Sequence, residues 1–511
     1  MINKKSINTL LMISLILFLG FLINPGIKES NASDDPGALF VEYTESVDTS
    51  AEMEHIRIRS RYVKINYDLF AEAEILLNIF EDVSFISIKD RIENISGSKY
   101  TLFGQIIEDE YGYMIMVVNG DKITGNIVVH GIMYQVRPVS DGVHIISEIQ
   151  QSGFPDEIHP AAAKFPVLAD TSAAPEADDG SFIDVMVVYT GNVASASADI
   201  DSEIQLAVDE TNVSYANSGI IQRIRLVYSA QVTYTESGSL NNDLNNLTGT
   251  FDGKMDEVHS WRNTYCADLV SLWVETGDAC GIAWLMQTVS TGFQSLGFSV
   301  VKRSCATGYY SFGHEMGHNM GAHHDWYVTS ARGAYNYSHG YINTGKKWRT
   351  VMAYNTECSD GGFNCTRIQY WSNPLVLYNG DATGVAEGAA QPSENAKTLN
   401  NTASTVANFR ESCATSNTPS PTFTYLTYTP TNTRTFTGTF TVTPTKTATK
   451  TITVTTTPTN TATFTRTNTP TNTTTSVFTA TILPTNTATF TRTDTPTPTV
   501  TQSSLITPTN T

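Results

Sequence analysis

From His314 to Asp325 the chain reads His-Glu-Met-Gly-His-Asn-Met-Gly-Ala-His-His-Asp, and only a helix followed by a sharp turn lets these side chains act together. Positions four apart on a helix lie on one face, so His314 and His318 can present two imidazoles to a single cation. Glu315 follows the first of them and can lean over a water at the metal without taking a coordination site, as a general base must. Gly321 permits the positive φ that ends a helix and swings the chain back. That turn brings His324 round as a third ligand and leaves a fourth position open, the pattern of one catalytic Zn2+ ion. His323 is one residue short of the spacing and is expected to be a neighbour, not a ligand.

The extended pattern resembles that of the metzincin zinc peptidases, and Asp325 directly after the third histidine is similar to the adamalysin or reprolysin branch. Those families place a methionine turn beneath the metal. Here Thr350-Val351-Met352-Ala353-Tyr354 is centred 28 residues past His324, so the resemblance implies that Met352 is the structural Met-turn residue. Further segments resemble the peptidyl-Asp metallopeptidase family of bacterial secreted enzymes: Asp184–Tyr189, Glu210–Gly219, Met255–His259, Cys280–Met286, Ser304–Gly313 and Tyr370–Pro374. What this implies is an α/β, metzincin-type catalytic domain over 181–413, with a mixed twisted sheet, an antiparallel edge strand at Gly281–Met286 for the substrate, and an active-site helix. The implied activity is endopeptidase cleavage of protein or peptide substrates on the amino side of Asp, with tolerance for Glu. Tyr354 sits where astacins and serralysins carry a tyrosine that helps hold the oxyanion, and Arg349 and Arg367 flank the expected wall of a pocket for an acidic side chain. Two other readings stay open: a broad reprolysin-like protease without Asp preference, and an inactive surface-displayed binding protein.

Around this domain the chain changes character several times. Residues 1–32 have the layout of an export signal, with Lys4 and Lys5, the apolar run Leu10–Ile23 and small residues at Ser30-Asn31-Ala32. A secreted protein starting near Ser33 is expected, and no later segment is apolar enough to span a membrane. Residues 33–155 read as a small β-rich, propeptide-like domain with strands such as Tyr111–Asn119 and Ile127–Val136. Residues 156–180 read as an exposed linker, and cleavage before Asp170, Asp178 or Asp179 would release the enzyme. No cysteine lies between Ser33 and Tyr265, so a thiolate is not what caps the metal.

Within 181–413 the pattern predicts a strand at Phe182–Tyr189, a helix from near Asp201 with Ile204, Val208, Thr211 and Tyr215 on one stripe, and a strand over Ile224–Tyr234. A helix at Met255–Arg262, a strand at Ala267–Trp273 and a long helix from about Tyr309 follow, which favours largely parallel pairing. The six cysteines, all between 266 and 413, suit disulfides in an exported chain, with Cys358–Cys365 the best local pair and the rest open. Residues 414–511 form a Thr/Pro-rich low-complexity tail in which Pro458–Thr471 recurs, with one substitution, at Pro484–Thr497. Such a segment is expected to be disordered, an extended spacer that could tether the enzyme to a cell surface. A net charge of -19 leaves no basic surface for nucleic acid, and a monomer is expected.

Overall fold

The structure, a computed structural model, describes residues 37–45, 56–140, 142–161 and 180–413, and the backbone of 434–442 and 452–460. The described residues within 37–413 belong to one compact unit and those within 434–460 to another.

The first nine strands are β1 (Phe40–Glu42), β2 (Arg57–Ile65), β3 (Glu74–Phe80), β4 (Val83–Ser96), β5 (Lys99–Ile106), β6 (Tyr113–Asn119), β7 (Lys122–Val129), β8 (Ile132–Ser140) and β9 (Val143–Ile149). They form one antiparallel sheet in the order β1-β2-β9-β8-β7-β6-β5-β4-β3. Alternation puts Ile75, Leu77 and Ile79 of β3 in one apolar cluster with Leu102, Met116 and Ile127. The single strand expected over Ile127–Val136 is two strands. His130 (φ 51°) and Gly131 (φ 77°) form the tight turn between β7 and β8, and an apolar run on both sides hid that turn.

The second sheet comprises β10 (Phe182–Tyr189), β11 (Arg223–Gln231), β12 (Leu269–Val274), β13 (Gly281–Ala283) and β14 (Phe298–Lys302), in the order β11-β10-β12-β14-β13. Four strands run parallel, and β13 is the antiparallel edge. The wholly buried β12 is covered on both faces, as continuous apolar strands of parallel sheets are. Its helices are α1 (Ile200–Asn217), α2 (Leu240–Thr248), α3 (Asp256–Thr264), α4 (Ser311–Asn319) and α5 (Asn395–Ala407). The expected long helix from Tyr309 is α4, nine residues long, because the chain reverses at Gly321. Three disulfides, Cys266–Cys413, Cys280–Cys305 and Cys358–Cys365, use all six cysteines.

Beyond Leu426 the structure departs from the expectation of a wholly disordered tail, since Arg434–Val442 pairs antiparallel with Ile452–Asn460. Half of the residues in these stretches are Thr, whose β-branched side chain favours extended backbone. The rest of the expected tail, the export signal and Asp170, Asp178 and Asp179 lie outside the described residues.

Helix α1 packs against both sheets, meeting β6 and β7 of the first and β11 of the second. Leu206 of α1 closes an apolar cluster with Phe103, Ile115 and Val117. Two carboxyls are shut in at this seam. Asp209 accepts from Thr101 Oγ1 (2.6 Å), and Glu210 accepts from Asn126 Nδ2 (2.5 Å) and the Gly308 N–H (2.7 Å). Burial outweighs these bonds and lifts both groups to about 7, from ordinary values of 3.8 and 4.5. A carboxyl whose pKa is raised in the packed state binds its proton more tightly there. The contribution is therefore fully present below the ordinary values and is lost as pH rises through about 7. The urea midpoint of the full chain is expected to fall between pH 5 and 8, and less steeply in Asp209→Asn. Parallel slopes for the two proteins would contradict this.

Candidate active site

Every residue of α4 is buried, so the helix is fixed on all sides. Gly317 lets Trp371 and Met352 close on it: a Cβ there would stand 2.7 Å from the Trp371 ring and 3.0 Å from the Met352 sulfur. Asn319 ties the helix end to the sheet edge, donating from Nδ2 to Trp284 O (2.9 Å) and Phe298 O (3.2 Å). Gly321 takes φ 89°, and the Ala322 N–H reaches back to Gly317 O (2.9 Å), which closes the helix and reverses the chain.

The reversal carries His324 back over the helix face. Its Nε2 lies 3.1 Å from His314 Nε2 and 2.9 Å from His318 Nε2. Among the described residues, His314, His318 and His324 are the one group of three or more candidate ligands that converge this closely. His323 is outside it; its ring lies near His339 and its Nδ1 has no partner.

The tautomers follow from the partners. His314 Nδ1 meets Val351 O (2.9 Å) and His318 Nδ1 meets Ala322 O (2.9 Å). A carbonyl only accepts, so each Nδ1 holds the proton and each Nε2 offers a lone pair to the shared centre. Burial holds His314 down at about 4, and burial with the neighbouring imidazoles holds His318 and His324 well below 6.5. Three neutral imidazoles with facing lone pairs fit a divalent cation such as zinc.

Glu315 stands beside this centre with both carboxylate oxygens buried and unpartnered. Burial, then the nearby charge of Glu157, pushes its pKa well above the carboxylate range, with Arg367 opposing. The edge strand makes room for it, because a Cβ on Gly281 would lie 2.4 Å from Glu315 Oε1. Gly281→Ala is therefore expected to displace the flexible end of Glu315 while the fold holds, cutting kcat by about 100-fold, the scale of a 1 Å misplacement. Steady-state kinetics with a circular dichroism spectrum checks this, and wild-type kcat would contradict it.

Met352 is fully buried next to this helix, and Val351 supplies the carbonyl that orients His314. Asp325 locks the third histidine's loop to the same turn: its carboxylate accepts the N–H groups of Tyr354 (2.9 Å) and Tyr327 (3.0 Å). The Tyr354 ring packs on His324 with centroids 4.1 Å apart. Its hydroxyl donates to Glu157 O (2.6 Å), a residue of the expected linker.

Residues 156–161, the start of that expected linker, in fact lie along the edge strand. The Ile158 N–H donates to Gly281 O (2.9 Å) and the Ala161 N–H to Ala283 O (2.8 Å). His159 comes within 3.3 Å of His324, Nδ1 to Nδ1. Glu157 pairs with Arg367, and although burial opposes it, the guanidinium holds the carboxylate well below its usual range. No local pattern in the sequence marks this segment, since its partners stand more than a hundred residues away.

Residues 182–380 match the family described as Metallo-peptidase family M12B Reprolysin-like. A peptidyl-Asp metalloendopeptidase of Xanthomonas campestris pv. campestris is 37% identical over 311 residues, covering 59% of this chain and 71% of that protein. One from Stenotrophomonas maltophilia is 38% identical over 315 residues, covering 59% of this chain and 72% of that protein. Another from Pseudomonas fragi is 34% identical over 202 residues, covering 39% of this chain and 100% of that protein.

Proposed function

Since the chain belongs to the peptidyl-Asp metallopeptidase family and is a zinc metalloendopeptidase, we propose that it cuts its substrates on the amino side of an acidic residue, Asp before Glu, with His314, His318 and His324 holding zinc and Glu315 moving the proton. The observation behind this reading is the placement of an unpartnered buried carboxylate beside three converging imidazole lone pairs. Zinc there supplies a Lewis acid for the attacking water and the scissile carbonyl.

The chain's own groups do the rest. Gly281 O and Ala283 O, on the antiparallel edge, accept N–H groups from the extended 158–161 segment, and so can seat a substrate strand in the same way. Glu315 takes the proton of the attacking water at its carboxylate and returns it to the leaving amine. The tight packing at Gly281 fixes where that carboxylate can stand. Tyr354 aims its hydroxyl at a carbonyl in the cleft and can steady the developing oxyanion. Met352, the Met-turn residue, is the floor of the site. The enzyme acts outside the cell, a reading supported by the layout of residues 1–32 and by three disulfides, which suit an oxidising compartment.

A peptide library incubated with the processed enzyme, with and without chelator, and read by mass spectrometry tests this. Cuts before Asp and, less often, Glu are expected, all abolished by chelator. Cuts with no acidic residue on the primed side would make it a broad protease, and absence of any cleavage would contradict the catalytic assignment.

A further inference from the structure

Arg349 and Arg367 sit side by side, on the short strands Trp348–Arg349 and Thr366–Arg367, yet their guanidinium groups are engaged differently. Arg349 spends its donors on Cys365 O (3.0 Å), Ala353 O (2.6 Å) and the Tyr309 hydroxyl (2.9 Å), so it is part of the wall. Arg367 instead grips a carboxylate end-on, from Nη1 to Glu157 Oε1 (2.6 Å) and from Nη2 to Glu157 Oε2 (2.8 Å). The Ser311 hydroxyl adds a third bond to Oε1 (2.6 Å). Both side chains of the pair are 0% exposed. Among the described residues Glu157 is the carboxylate that Arg367 pairs with.

This pocket belongs to the catalytic centre by position. Ser311 opens α4 one turn before His314 and Glu315, and Tyr354, which covers His324, holds the main-chain carbonyl of the same Glu157. The segment that delivers Glu157 lies along β13 where a substrate strand would be added. Once that segment leaves, a buried guanidinium is left without its counter-charge, a strongly unfavourable state that a ligand's carboxylate relieves. The planar fork of Arg suits bidentate reading of that group better than Lys would.

We propose that Arg367, with Ser311, is the reader of the substrate's acidic side chain, and that Glu157 occupies this pocket as an internal stand-in, so that the unprocessed chain blocks its own cleft. The proposal rests on the acidic preference put forward above. It also explains how the N-terminal sheet serves the cleft. The last strand of that sheet, β9, leads through Phe154 into residues 156–161, and Phe154 stacks on Tyr309, whose carbonyl accepts from Arg367 (3.0 Å).

The test uses two peptides that differ only by Asp or Asn on the primed side of the cut, with wild-type, Arg367→Lys and Arg367→Gln enzymes. The wild-type ratio of kcat/KM for the pair is expected to be about 100 or more and to collapse by about 100-fold in Arg367→Gln, with Arg367→Lys between. Because Arg367→Gln is a core substitution, a second arm leaves the enzyme intact. A synthetic peptide spanning 154–161 is expected to inhibit processed wild-type enzyme, and Gln at position 157 to weaken that inhibition by about 100-fold. In the full chain, Glu157→Gln is expected to raise turnover before processing. A wild-type preference for Asp that survives Arg367→Gln overturns this assignment while the proposed function stands. A wild-type enzyme with no acidic preference overturns the proposed specificity and this assignment with it. Equal inhibition by the Glu and Gln peptides overturns the stand-in role.

Discussion

Replacing Glu315 with Gln is expected to lower kcat/KM by about 1,000-fold while zinc content stays at wild-type level, within the ~100- to 10,000-fold that a positioned acid–base contributes. The substitution keeps shape and volume and removes only the ability to take a proton. It also replaces a buried carboxylate with no hydrogen-bond partner by a neutral amide. Burial already pushes that carboxyl toward its neutral form, and Gln is a neutral side chain of the same shape, so the variant is expected to melt no lower than wild type. Activity lost without stability lost separates a chemical role from a structural one. Kinetics, metal analysis and calorimetry on the same sample check it, and near wild-type turnover would remove Glu315 from the mechanism.

The second large effect is expected from His318→Ala. Two imidazoles remain, and His318 is the one whose Nε2 lies nearest that of His324, at 2.9 Å. Losing an outer hydrogen-bond partner of a ligand costs about 10- to 100-fold in metal affinity, and losing the ligand itself costs more. Dialysed His318→Ala is expected to retain no stoichiometric zinc and to show no measurable hydrolysis. The matching control is His323→Ala, one residue before the third ligand and outside the converging group, which is expected to keep its zinc. Loss of metal in both variants alike would mean that the histidines act through the fold and not as ligands.

The contrast between His323 and His324 was legible in the sequence because a helix and a glycine turn fix spacing locally. Four residues bring His318 under His314, and Gly321 at positive φ sets which of the two later histidines returns. The alternation of parallel strands and helices from Phe182 to Trp273 was legible for the same reason, being written in short-range periodicity. Helices α2 and α5 were not. Their sequences, Leu-Asn-Asn-Asp-Leu-Asn-Asn-Leu-Thr and Asn-Ala-Lys-Thr-Leu-Asn-Asn-Thr-Ala-Ser-Thr-Val-Ala, are full of Asn, Ser and Thr, and packing against the sheet overrides that poor propensity. Glu157 was hidden for a different reason. Its meaning lies in Arg367, 210 residues away, and an Asp-Glu pair between two prolines looks like any solvated linker sequence.

The convergence of three Nε2 atoms can be tested directly by anomalous diffraction at the zinc absorption edge from crystals of catalytically active enzyme. One peak is expected, at about 2.0–2.1 Å from Nε2 of each of His314, His318 and His324. A peak bound by any other set of side chains, or no peak at all in active crystals, would contradict the assignment of this centre.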